Sequence, residues 1–67
     1  MYGKVRFYDP RAGWGMIVTD DSTGYFLNGR DYDGGAFPGP MPGEQVTFEL
    51  RRSPKGRQAV GVKQVKQ

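Results

Sequence analysis

The chain contains no cysteine and no histidine. Disulfide staples, the usual Cys/His zinc sets and any Ser/His or Cys/His nucleophilic scheme are therefore excluded at the outset. Helical signals are equally scarce: no heptad, amphipathic helix or internal repeat occurs along the sequence. Nor is there an apolar run of membrane length, and Met1-Tyr2-Gly3-Lys4 opens the chain without an apolar leader. These absences lead us to expect a soluble, cytoplasmic protein. Its 67 residues make one domain, residues 1–67. A chain of that size buries only about 60% of the surface its unfolded form exposes, so packing alone must hold it together.

A catalytic role finds little support in what remains. Asp20-Asp21 and Asp31/Asp33 fall in turn-like segments, where aspartate is favoured for local backbone hydrogen bonds. Gly13-x-Gly15 is too short for a phosphate loop and lacks the following helix. No calcium-loop spacing is present. We expect no enzyme activity, no metal and no cofactor.

What the chain does have is strand periodicity. Tyr2–Tyr8 alternates, with Lys4, Arg6 and Tyr8 on one parity and Val5 and Phe7 on the other. Asp9-Pro10-Arg11-Ala12-Gly13 supplies turn chemistry. Trp14–Thr19 then returns as a second strand. Alternation sends Ile17 to the core if Trp14 and Met16 face out, and the opposite arrangement, with Trp14 in the core, stays open. After the polar turn Asp20–Gly24, Tyr25–Asn28 forms a third strand, and polar Asn28 implies that Phe26 shares a partly wet face.

The segment from Gly29 to Gly43 is irregular, with glycine and proline too frequent for any element longer than one turn, and loops of this length are usually functional. Within it, Tyr32 and Met41 are expected to plug the end of a barrel. Gln45–Arg51 is a half-buried strand with Val46, Phe48 and Leu50 facing one way. A basic turn, Arg52 to Arg57, leads into a fifth strand, Gln58–Val65, with Val60 and Val62 inward and Lys63 and Lys66 solvated. The expected core is Val5, Ile17, Leu27, Val46, Phe48, Leu50, Val60 and Val62. Five short strands with regularly spaced turns argue for a small closed barrel, which removes exposed edges.

Ten Lys and Arg against seven Asp and Glu give a net charge of +3, a balance that favours an anionic partner. Phe7 and Tyr8, Trp14 and Met16, and Phe26 and Asn28 lie on three successive strands, with Lys4, Arg6, Arg11, Lys55 and Arg57 around them. Unpaired bases stack on aromatic rings while Lys and Arg track phosphates, so these residue types suit single-stranded RNA or DNA better than a duplex. The competing reading makes the same aromatics part of the core.

At these positions the sequence resembles the bacterial cold shock proteins. Gly13-Trp14-Gly15-Met16-Ile17 is similar to their first RNA-binding motif, Lys-Gly-Phe-Gly-Phe-Ile, and Tyr25-Phe26-Leu27-Asn28 to the second, Val-Phe-Val-His. Lys4-Val5-Arg6-Phe7-Tyr8-Asp9 resembles the family's opening Lys-Val-Lys-Trp-Phe-Asn. Gly43–Glu49 and Lys55–Val62 resemble its closing segments.

The resemblance implies an all-β, five-stranded antiparallel barrel of the oligonucleotide-binding type, holding single-stranded nucleic acid on the face of strands one to three. It puts Phe7 at a base-stacking position, against the alternation above, and a bulge near Tyr8 would reconcile the two. It also implies that Trp14, Phe26 and the loop residue Phe37 stack bases, and that Arg6 and Lys55 are basic contacts.

Several positions depart from the family pattern. Ala12 stands for Lys, Met16 for Phe, Asn28 for His, Gly24 for Asp, and Gly29 for a frequent aromatic. Two or three lost rings at about 1 kcal/mol each would weaken binding roughly 30- to 150-fold. The expected function is a monomeric, non-catalytic single-strand binder that opens RNA secondary structure. The alternative is a protein-interaction module on the same barrel.

Overall fold

Alternating apolar positions give each strand one dry face, and curling the sheet until its edges meet covers all of those faces at once. The computed structural model describes residues 1–65, so Lys66, expected to be solvated, lies outside the described residues. The strands are β1 (Tyr2–Asp9), β2 (Trp14–Val18), β3 (Gly24–Asn28), β4 (Gln45–Ser53) and β5 (Gly56–Gln64), with one 3-10 turn at Gly29–Asp31. They form a closed barrel in the order β1-β2-β3-β5-β4. Four seams are antiparallel, and β3 meets β5 in parallel through Phe26–Gln58 and Leu27–Ala59. The closed barrel is the one expected from the strand pattern, and its all-β, oligonucleotide-binding architecture is the one the resemblance implies, except that the β3–β5 seam is parallel and not antiparallel.

Local chemistry sets the tight connections. Asp9 Oδ1 accepts from the Arg11 backbone N–H at 2.9 Å, and the Gly13 N–H donates to the Asp9 carbonyl at 2.7 Å. Between β2 and β3, Asp21 Oδ1 accepts from the Thr23 N–H at 3.1 Å and from the Thr19 hydroxyl. At the β4–β5 turn, Ser53 Oγ accepts from the Lys55 N–H and donates to the Gly56 carbonyl. Aspartate and serine are favoured at such positions because their short side chains satisfy backbone donors locally.

Val5, Ile17, Tyr25, Leu27, Val46, Phe48, Ala59 and Val62 form the core. The rings of Tyr25 and Phe48 pack with centroids 5.0 Å apart. Each fully buried aliphatic, Ile17 and Leu27 among them, contributes roughly 1.5 to 3 kcal/mol.

Two expected core residues, Val60 and Leu50, are misplaced, for different reasons. The β4–β5 register shifts between Thr47 and Glu49, where β5 carries an extra residue. Gly61, with φ +59°, lies in this bulge and takes the left-handed geometry that a side chain disfavours. The shift turns Ala59 inward with Val62 and leaves Val60 only half-buried. Leu50 pairs with Ala59 but is 40% exposed. β1 covers β4 only through Gln45–Thr47, so Leu50 is flanked by a strand on one side alone.

The long connection behaves partly as expected. Tyr32 does close the barrel end: it bridges to Val62, packs against the core and donates its hydroxyl to Glu44 at 2.7 Å. Met41 does not share that role, being 66% exposed, and Pro40 is the buried residue there.

Candidate nucleic-acid interface

The outer face of β1, β2 and β3 is organised by a second bulge. β1 pairs with β2 through Val5–Ile17 and then Phe7–Met16, which leaves Arg6 as the inserted residue. The insertion reverses parity, so Val5 is buried while Phe7 is 39% exposed. Strict alternation had placed Phe7 inward with Val5. The bulge overturns that placement, one turn of the pleat earlier than the position near Tyr8 where it was expected.

Trp14 is 38% exposed and faces outward, which closes the question of a core tryptophan. Its indole stacks on Phe26 with centroids 5.3 Å apart and 10° between planes, and Phe7 meets it edge-on at 5.4 Å and 78°. Both geometries match the quadrupole preferences of aromatic pairs. The ladder also runs Phe7–Met16–Phe26–Gln58 across four strands. Half-buried Met16 therefore fills the gap between the outer rings, with its methyl end towards Gly24. Close approach of β1 is allowed by Gly15, where any Cβ would overlap the Phe7 carbonyl.

Shallow clefts flank this platform. One of about 520 Å³ is lined by Arg6, Phe7, Met16, Val18, Ser22 and Gly24. The other, of about 290 Å³, is lined by Phe26, Asn28, Arg30, Lys55 and Gln58 together with the hairpin residues Ser53 and Pro54. Each cleft thus joins an aromatic surface to at least one cation. Asn28 Oδ1 accepts from the Arg30 N–H at 3.3 Å, so its amide nitrogen remains as a donor.

The structure brings together Arg6, Phe7, Trp14, Met16, Phe26, Asn28 and Lys55. Lys4 is exposed on β1 beyond the Arg6 bulge. Tyr8 turns away: it is half-buried against the core, and its hydroxyl donates to the Ala36 carbonyl at 2.5 Å. Burial, followed by the charge of Asp9, raises its pKa. Phe37 stands apart in the long loop at 79% exposure. Arg57 pairs with Arg52 and lines a different cleft.

Sequence reasoning missed Arg30 and Gln58. Arg30 sits in a stretch without periodicity, and only the 3-10 turn presents it to the groove. Gln58 reaches Phe26 through the parallel β3–β5 seam, and it donates to Asp31 Oδ2 at 3.2 Å.

No protein-family model matches the chain. Individual relatives do. A cold shock-like protein from Thermotoga maritima is 34% identical over 65 residues, covering 97% of this chain and 98% of the relative. A probable cold shock protein A from Mycolicibacterium smegmatis is 33% identical over 64 residues, covering 94% and 96%. A cold shock protein from Geobacillus stearothermophilus is 28% identical over 60 residues, covering 90% and 91%. The chain belongs to the cold shock protein family.

Membership makes the barrel a nucleic-acid-binding cold shock domain. Its two motif segments are β2 and β3, which present Trp14 and Phe26 as a stacked pair. The frequent aromatic after the second motif has no room here. At Gly29, a Cβ would overlap the Tyr8 hydroxyl and press on Ala36, and at Gly39 another would overlap the Tyr8 ring. This cold shock domain thus uses the space beside Asn28 to anchor its long loop through Tyr8. Among the described residues, no helix is long and apolar enough to cross a membrane.

Proposed function

We propose that this cold shock domain binds single-stranded RNA or DNA by stacking bases on Phe7, Trp14 and Phe26, and that it opens nucleic-acid secondary structure without catalysis. The observation that carries the reading is the outward Phe7–Trp14–Phe26 cluster with a cationic cleft on each side. Bases offer their flat faces only when unpaired, so the platform discriminates against duplex. A monomer that binds open strands but not hairpins draws the equilibrium toward the open form once its concentration exceeds its dissociation constant. No ATP is needed, and the cytoplasm is a fitting place for such an activity.

Arg6, Lys4, Lys55 and Arg30 supply phosphate contacts, and Asn28 donates to a base edge. Phe37 adds a further stacking surface from its loop, while Tyr8 acts indirectly by holding that loop. With Met16 between the rings and glycine at position 29, binding is weaker than an all-aromatic face would give. Base preference is slight, with a leaning to pyrimidines.

Titration of a short oligothymidine while following Trp14 fluorescence tests the reading. A saturable change that weakens with salt at a log-log slope of roughly −0.7 per phosphate is expected. Unchanged fluorescence and mobility at low salt would overturn it. Binding abolished by Arg6→Glu separates nucleic acid from a protein partner, whose binding to the same rings would be indifferent to salt.

A further inference from the structure

The β4–β5 hairpin holds a pair of like charges that the fold does not need. Arg52 lies directly opposite Arg57 in the antiparallel ladder, one step from the Ser53–Gly56 end. Facing cations on neighbouring strands repel and destabilise the ribbon. The sequence offers no local compensation, since no acidic residue occurs between Arg51 and Val65. Side-chain alternation places the two arginines away from the platform. Ala59 is buried and pairs with Leu50, so the next rung, Arg51–Gln58, faces out beside Phe26, and Arg52–Arg57 turns back to the core side of the ribbon.

The pair lines a cleft of about 310 Å³ with Ser53 and Gly56. Ser53 also lines the platform cleft that holds Phe26, Arg30 and Lys55. A strand leaving the aromatic face past Lys55 therefore meets this second cleft by rounding the hairpin tip. Two arginines on one rung, lining one cleft, suit the phosphodiester backbone, which each guanidinium can bind through paired N–H donors.

We infer that Arg52 and Arg57 form a second contact for the sugar-phosphate backbone of a strand already stacked on the platform, so that longer strands wrap the β4–β5 hairpin. The inference rests on the single-strand reading above and adds a site on the opposite face of the ribbon. The bound phosphates relieve the repulsion that the empty hairpin carries. Wrapping makes affinity depend on strand length beyond what the three rings can cover.

The test compares oligothymidines of about four and about twelve nucleotides, within the range of site sizes known for this barrel type. Arg52→Glu reverses one charge and supplies an opposite partner for Arg57. Loss of two phosphate contacts should flatten the long-strand salt slope by about 1.4 and weaken long-strand binding roughly twentyfold near 0.1 M salt. Short-strand affinity should stay within twofold of wild type, and the thermal midpoint should hold or rise. Arg52→Lys should retain long-strand binding.

Equal long-strand affinity in wild type and Arg52→Glu overturns the proposal, as does an equal loss for both lengths. A wild-type chain that ignores the short strand overturns the platform reading, and the hairpin contact with it.

Discussion

The indole of Trp14 lies 5.3 Å from the ring of Phe26 with only 10° between their planes. The two rings therefore support each other as one aromatic surface, which Phe7 meets edge-on. Phe26→Ala removes a stacking surface and the support that holds the indole. Binding of oligothymidine should fall by about 1 to 3 kcal/mol, or roughly 5- to 150-fold. The free protein's tryptophan emission should change as well, because the indole loses its neighbour. Fluorescence titration and the spectrum of the free variant check both points.

Tyr8 and Gly29 form a coupled pair, since the Tyr8 hydroxyl occupies the space a side chain at position 29 would need. Gly29→Ala should destabilise the domain, and less so in a Tyr8→Phe background where the hydroxyl is gone. Tyr8→Phe alone forfeits the bond to the Ala36 carbonyl, about 1 kcal/mol. Denaturant unfolding of the four variants of this double-mutant cycle measures the coupling. Strictly additive effects would contradict the packing.

Tyr32 predicts a stability limit at high pH. Burial, followed by the hydrogen bond to Glu44 and the charges of Glu44 and Asp33, pushes its pKa up to about 12 from an ordinary 10.0. The folded state thus keeps the proton that the unfolded state releases. Its contribution is full below the unfolded value and declines as pH rises from 10 towards 12. Tyr32→Phe should be less stable at neutral pH, because Glu44 loses its donor, and should show a shallower alkaline decline. Asp21 acts at the other end: the Thr19 hydroxyl, then Thr23, lower its pKa, so its stabilisation is lost as pH falls through that lowered value. Thr19→Val should flatten the acid limb.

Leu50 and Leu27 should respond differently to truncation. Leu27 is fully buried, and Leu27→Ala should cost about 2 to 5 kcal/mol. Leu50, at 40% exposure, should lose about 1 kcal/mol or less on the same change. Thermal unfolding of the two variants separates them. Equal losses would mean that Leu50 packs as a core residue.

Alternation was sufficient wherever a strand ran without interruption. Val5, Ile17, Leu27, Val46 and Phe48 were legible as core, and Trp14, Met16 and Phe26 as candidates for one outer face. It failed just beyond each bulge. The Arg6 bulge sends Phe7 outward, and the one at Gly61 exchanges Ala59 for Val60. A period of two carries no information about an inserted residue, because the insertion reverses every later side chain without altering composition. Tyr8 was misjudged for the same reason, and its role as a loop anchor became visible only beside Gly29 and Gly39. Arg30, Gln58 and the Arg52–Arg57 pair are brought to their places by a 3-10 turn, a parallel seam and a hairpin register, all of which join residues distant or unmarked in sequence.

By itself, then, the sequence determined the five strands, the polar turns between them, the absence of thiol and imidazole chemistry, and an aromatic and basic inventory suited to unpaired bases. These are local properties, set by side-chain size, charge and backbone preference within a few residues. Tertiary structure alone decided which rings share the platform, which cations border it, and which arginines face each other across the hairpin. Those outcomes depend on bulges and on the closure of β3 against β5, where long-range register sets the direction of each side chain.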